Sequence, residues 1–198
     1  TGSGMWHTRE AEGLPSVHLS DGPHGLRKQE EKERQNNVSL VSTCYPTASA
    51  LACSWDVTAA ERLGRAVAKE AWNADVAVLL GPGINMKRSP LCGRNFEYFS
   101  EDPFLAGRLG AAYVCAAQGE DVAVSLKHFA ANNQETNRQT SNSQIDERAL
   151  REIYLSAFEY VVKTARPATV MASYNRLNGY YACENRHLLT EILREEWG

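Results

Sequence analysis

Several features are missing from this chain of 198 residues, and each absence closes off a class of function. No apolar run approaches the roughly 20 residues that cross a bilayer as a helix, so no membrane partner is expected. Neither charge sign dominates. With 21 Lys+Arg against 24 Asp+Glu the formal net charge is -3, which gives no global pull toward nucleic acid or anionic lipid. There is no C-x-x-C pair: Cys44, Cys53, Cys92, Cys115 and Cys183 are odd in number and widely spaced. That pattern does not fit a small disulfide scaffold and predicts free thiols in a reducing, cytoplasmic compartment. No G-x-x-x-x-G-K-[ST] loop occurs, and Gly81-Pro82-Gly83 does not match G-x-G-x-x-G. His7, His18, His24, His128 and His187 form no H-E-x-x-H or other zinc spacing, so neither a metal nor a cofactor is expected. The first ten residues carry neither a basic head nor an apolar core, so no signal peptide is visible. An initiator Met is also missing, and the chain stops at Glu195-Glu196-Trp197-Gly198, where a helix should hand over to a strand. The expectation is a piece of a longer domain.

What is present reads as a soluble globular chain, 43% hydrophobic and 23% charged. Three short apolar runs rich in β-branched residues stand at even spacing: Val76–Leu80, Val122–Leu126 and Ala168–Ala172. An earlier run, Ser16–Ser20, looks like a fourth strand. Near-continuous apolar character marks strands buried on both faces of a parallel sheet. Helical patterns separate them. Asp56 caps a stripe of Ala59, Leu63, Val67 and Ala71. Asp102-Pro103 opens one through Leu105, Leu109, Ala112, Tyr113 and Ala116, which Gly119 ends. Asp146 opens a third, with Leu150, Ile153, Tyr154, Ala157, Phe158 and Val161 on one side. Asn185 opens a fourth, with Leu188, Leu189, Ile192 and Leu193. Alternating strands and helices predict an α/β fold.

The connections are asymmetric. Helix-to-strand links such as Ala74-Asp75 are short, whereas strand-to-helix links, roughly 81–101, 127–145 and 173–184, are long. Parallel α/β folds build their sites from such loops at the carboxyl ends of the strands. Polar residues collect there. Asp21, in Asp21-Gly22-Pro23-His24-Gly25, can accept hydrogen bonds from ligand hydroxyls or merely brace its turn. Arg94 offers a planar donor fork that Glu97 could orient, or the two could simply staple the loop. Lys127 and His128 follow the third strand directly and can both donate to ligand oxygens, although His128 could equally be a satisfied core histidine. Asn132, Asn133, Glu135 and Arg138 make one loop dense in hydrogen-bonding groups. Tyr174, in Ser173-Tyr174-Asn175, presents a ring and a hydroxyl, or packs beneath a loop. Together these groups suit a neutral, hydroxyl-rich ligand better than a phosphate or a base. The mixed-sign run Arg27–Arg34 reads as a solvated loop or short helix rather than a nucleic-acid patch.

The segments Ser20-Asp21-Gly22-Pro23-His24-Gly25-Leu26-Arg27, Leu79-Leu80-Gly81-Pro82-Gly83-Ile84-Asn85, Cys92-Gly93-Arg94-Asn95-Phe96-Glu97, Lys127-His128-Phe129-Ala130-Ala131-Asn132-Asn133-Gln134-Glu135 and Ser173-Tyr174-Asn175 occur in that order. In this the chain resembles the N-terminal barrel domain of family 3 glycoside hydrolases of the bacterial β-glucosidase type, from about residue 4 to the end. The resemblance implies a partial (β/α)8 barrel of the TIM type. Residues 1–198 would be its N-terminal strands and helices, incomplete at both ends, and the following α/β sandwich domain would be absent. It implies retaining hydrolysis of terminal, non-reducing β-D-glucosyl residues by the full-length protein. The substrate would be a β-linked glucoside or oligosaccharide. The sugar subsite would fall on Asp21, Arg94, Lys127, His128 and Tyr174, with Met171 and Arg138 as further members.

The chain departs from the family pattern by what it does not contain. The family's nucleophile is an Asp in a Ser-Asp-Trp segment on the next strand, and its general acid is usually a Glu from the second domain. Neither falls within these residues, so no catalytic residue is assigned and the 198-residue chain alone is expected to be inactive. Its unfinished sheet edges and bare helix faces predict poor solubility or association. A β-xylosidase or another exo-glycosidase of the family, and a non-catalytic sugar-binding protein, remain alternatives.

Overall fold

The computed structural model describes residues 6–29 and 39–198. Glu30 to Arg34 of the mixed-sign run, and the first five residues, lie outside the described part. Strands β1 (Leu19–Ser20), β2 (Val78–Leu79), β3 (Ala123–Phe129) and β5 (Thr169–Ala172) form one parallel sheet in the order β1-β2-β3-β5. Each strand pairs with the next one wound, from Leu19↔Val78 and Val78↔Ala123 to Leu126↔Val170. An order that never reverses is that of a barrel rather than of a doubly wound sheet. The sheet is not closed among the described residues, as expected for a partial barrel. None of the described helices is long and apolar enough to cross a membrane.

The ladders are shorter than the apolar runs suggest in β1 and β2, and longer in β3. Lys127 and His128 lie inside β3 instead of following it. The β3–β5 register shifts between Lys127 and Phe129, so His128 has no strand partner there. Such irregularities re-aim side chains at the rims of barrels. The Lys127–His128 and Phe129–Ala130 peptide bonds are cis.

Helix α1 (Ala48–Cys53) touches α3 (Pro103–Gln118), and α3 packs between α2 (Val57–Asn73) and α5 (Ser156–Ala165) and against β3. All three aspartate caps form as expected: Asp56 accepts from the Thr58 N–H at 2.8 Å, Asp102 from the Phe104 N–H at 2.9 Å and Asp146 from the Ala149 N–H at 3.0 Å. The buried face of α2 is rotated from the expected stripe, however, and runs through Ala60, Gly64, Val67, Ala68 and Ala71. A Cβ on Gly64 would come within 2.5 Å of the Tyr113 carbonyl oxygen. Close backbone approach to α3 therefore selects the small residues, and Ala59 and Leu63 flank the contact.

The helix predicted from Asp146 is interrupted. After α4 (Glu147–Ala149), residues Leu150–Tyr154 form a π-helical turn closed by the Leu155 N–H donating to the Leu150 carbonyl at 2.8 Å. The wider turn buries both Leu150 and Leu155 and swings Ile153 outward, which a uniform 3.6-residue period cannot anticipate. The last helix, His187–Glu196, is also π-helical, with Leu188 and Ile192 buried and the Asn185 side chain capping the Leu188 N–H. The long loops carry β4 (Asn142–Ser143), β6 (Arg176–Leu177) and β7 (Tyr180–Tyr181), which make a second small sheet. All five cysteines are free, as expected.

Candidate functional site

The carboxyl ends of β1 and β3 and the loop after β2 bring three of the expected residues into one ionic cluster. Gly25, at φ +140°, turns the chain back after β1, and a Cβ there would run into the Thr43 carbonyl oxygen. This turn carries Asp21, whose carbonyl accepts from the Arg27 N–H at 2.8 Å. Lys127 Nζ lies 3.0 Å from Glu97 Oε2 and 3.8 Å from Asp21 Oδ1. The other oxygen of Glu97 accepts from Arg94 Nε. Glu97 therefore ties Lys127 to Arg94. Its side chain is 2% exposed and that of Lys127 3%, whereas Asp21 keeps 32%. Burial works against the charge on Arg94, but the Glu97 carboxylate outweighs it and holds the guanidinium more firmly protonated than usual.

A second set of contacts joins the remaining polar residues. His128 is buried, and its main chain is held by Asn85: the His128 N–H donates to Asn85 Oδ1 at 2.7 Å and Asn85 Nδ2 donates to the His128 carbonyl at 2.8 Å. The ring contacts Tyr98, with Nδ1 2.9 Å from the hydroxyl. Asn132 Nδ2 donates to that hydroxyl at 3.0 Å and to Glu135 Oε1 at 2.9 Å, and Arg138 donates to Glu135 Oε2 at 3.0 Å. The Arg138 guanidinium sits 4.9 Å from the centre of the Tyr174 ring, a cation–π contact, and Tyr174 is 56% exposed. Burial, followed by the charges of Arg94, Lys127 and Arg138, lowers the His128 pKa to about 2, so the imidazole is neutral. Lys127 and His128 are consecutive in β3, so the two sets of contacts adjoin. Met171 pairs with Lys127 in the β3–β5 register and is half-buried.

Arg94 and Lys127 are thus brought together through Glu97, Asp21 joins them through Lys127, and His128, Arg138 and Tyr174 are linked through Tyr98, Asn132 and Glu135. The expectation that Glu97 orients Arg94 holds, and the loop staple is the same contact. Sequence reasoning missed that Glu97 also anchors Lys127, that Tyr98 meets His128, and that Asn85 clamps the backbone of His128. The position of Asn85 just past a strand end was the available signal. A cavity of about 20 Å³, enough for a single water, touches Glu97 and Lys127 and is lined by Gly22, Pro23 and the Gly81-Pro82-Gly83 turn. With one carboxylate accessible, the other locked between two cations and a neutral imidazole beside them, the arrangement can donate to and accept from vicinal hydroxyls. Among the described residues there is also no group of three His, Cys, Asp or Glu able to hold a metal ion.

Comparison with known proteins shows what the chain is similar to. The N-terminal domain of glycosyl hydrolase family 3 matches residues 23–198. The chain is 54% identical over 201 residues to the thermostable β-glucosidase B of Acetivibrio thermocellus, covering 100% of this chain and 27% of that protein. It is 49% identical over 203 residues to an exo-α-(1→6)-L-arabinopyranosidase of Bifidobacterium longum, covering 100% of this chain and 27% of that one. The solved structure of β-glucosidase 3B from Thermotoga neapolitana in complex with glucose superposes with a TM-score of 0.91 at 45% identity, over 97% of this chain and 27% of that chain. The chain therefore spans about a quarter of the length of these relatives.

Proposed function

The chain belongs to glycosyl hydrolase family 3, and from that membership we propose that it is the sugar-recognising part of a retaining β-glucosidase acting on terminal, non-reducing β-D-glucosyl residues. The cluster of Asp21, Lys127, Glu97 and Arg94 at the strand ends carries the reading. Asp21 accepts hydrogen bonds from two neighbouring sugar hydroxyls. Lys127, His128 and Arg94 donate to the others, Glu97 keeps the two cations in place, and Tyr174, Met171 and Arg138 complete the subsite. Burial strengthens the bonds made by Lys127 and His128, which have little access to competing water.

Retaining hydrolysis needs two carboxyl groups about 5–5.5 Å apart, one as nucleophile and one as acid and then base. Glu97 cannot serve while it bridges two cations, and Asp21 is engaged with the sugar. Both catalytic carboxyls are assigned to further sequence, a strand that continues the barrel and a second domain. The complete enzyme would be cytoplasmic, in keeping with four exposed free cysteines, and would need no nucleic acid or membrane partner.

The test is hydrolysis of an aryl β-glucoside by the longer polypeptide and by residues 1–198 alone. Turnover is expected only from the former, and Asp21→Asn should lower its kcat/KM by about 100-fold or more. Turnover by residues 1–198 would place an unrecognised nucleophile within them. The arabinopyranosidase relative favours a second reading, an exo-glycosidase for another pyranose. A panel of aryl glycosides of glucose, xylose and arabinopyranose separates the two by the ratio of kcat/KM.

A further inference from the structure

The contacts behind His128 have a direction. Glu135 is a carboxylate paired with Arg138, so the atom of Asn132 that meets it must be the amide nitrogen. The same nitrogen lies 3.0 Å from the Tyr98 hydroxyl, which therefore accepts from Asn132. Tyr98 is fully buried, and among the described residues the only other polar atom bonded to its hydroxyl is His128 Nδ1, at 2.9 Å. Its proton is left to point at that nitrogen. A neutral imidazole accepting at Nδ1 carries its proton on Nε2. Nε2 makes no hydrogen bond to the described protein, and is thus left for a ligand.

We infer that Tyr98, fed by Arg138, Glu135 and Asn132, is a positioning residue that fixes His128 as the Nε2–H tautomer and so makes it an obligate hydrogen-bond donor to a sugar hydroxyl. The inference rests on the proposed sugar subsite. It explains why a buried phenol, deprotonated even less readily than usual because burial disfavours its anion, stands behind the histidine. Either tautomer would otherwise be open to a neutral histidine among three cations, and one of them would turn a lone pair toward the ligand. Tyr98 settles that choice before substrate arrives, so the donor needs no reorganisation on binding.

The test is a double-mutant cycle in the longer polypeptide, with kcat/KM on an aryl β-glucoside as the readout. Alanine at 128 leaves no ring to orient, so His128→Ala removes the need for Tyr98, whereas a glutamine amide could still turn either its oxygen or its nitrogen to the ligand. Tyr98→Phe should lower kcat/KM about tenfold when His128 is present and less than about twofold in the His128→Ala background. Equal losses in both backgrounds would make Tyr98 a packing residue only and overturn the inference. Neutron diffraction from the unaltered enzyme needs no variant and decides the point should Tyr98→Phe fail to fold. A deuteron on Nε2 and none on Nδ1 is required, and one on Nδ1 overturns it. Neither outcome bears on whether the enzyme cleaves β-glucosides, which the aryl glycoside panel decides separately.

Discussion

Two charge networks in this molecule use similar residues to opposite ends. At the strand ends, Glu97 bridges Lys127 and Arg94 with almost no exposure. On the outer helices, Arg151 joins Glu147 and holds Glu196 through two bonds at 2.6 and 2.9 Å, while His187 lies 2.8 Å from Glu191 and 3.3 Å from Glu147. The outer network has more partners, yet all of them are solvated. Removing one partner there lets water take its place, whereas removing one from the inner cluster leaves a charge with room for at most a single water beside it. The number of ion pairs therefore says little about which network matters, and burial says a great deal.

The largest expected effect tests that contrast directly. Glu97→Gln should destabilise the protein by about 3 kcal/mol, because buried Lys127 loses its close carboxylate. It should also depress kcat/KM as Lys127 and Arg94 lose their common anchor. Denaturant unfolding of the longer polypeptide reads the first effect, with Glu147→Gln on the outer helices as the control. A Glu97→Gln cost no greater than that of the control would break the comparison.

A second, smaller effect concerns acid. The His128 pKa falls from the ordinary 6.5 to about 2 on folding, first through burial and then through Arg94, Lys127 and Arg138. Between those values the unfolded chain binds a proton that the folded chain refuses, so stability declines as pH is lowered through that window. The unfolding midpoint, measured between about pH 4 and 6, should depend less on pH in His128→Gln than in the unaltered protein. An unchanged slope would mean that His128 is solvated after all.

The smallest effect belongs to the outer network. His187 is raised above its ordinary pKa, chiefly by its hydrogen bond to Glu191 and despite partial burial. Its contribution is complete below the unfolded value near 6.5 and disappears as pH rises through the folded one. Glu147 is lowered, first by Arg151, so its share is present above the usual carboxylate range and is lost on acidification. His187→Ala should cost no more than about 0.5 kcal/mol at pH 6 in low salt, and nothing at high pH or high ionic strength. A cost that persists in high salt would show the outer network to be less solvated than it looks.

Sequence-local signals were the readable ones. Asp56 and Asp102 cap helices through contacts two residues away, and the apolar runs around Val78, Val124 and Val170 mark the three later sheet strands because two-sided burial leaves a continuous trace. The placement of Asp21 just past β1 and of Arg94 in the loop after β2 followed from long loops after short strands, whereas Lys127 lies inside β3. What could not be read depends on partners far along the chain. Gly64 looks like a flaw in a helix until Tyr113 is seen against it. Leu155 looks like a surface residue until the π turn inserts it into the core. Tyr98 gives no sign of serving a histidine thirty residues later. Single-sequence periodicity carries no information about such pairs.

The paired bonds from Asn85 to the backbone of His128 have an implication for recombination. The histidine keeps its place through an amide borrowed from the preceding β–α unit, so the geometry of each stretch depends on the other. Chimeras whose crossover falls between residues 85 and 128 would unite halves that never adapted to each other, whereas crossovers on either side keep the clasp within one parent. Libraries built by shuffling relatives should show a gap in functional junctions across that interval.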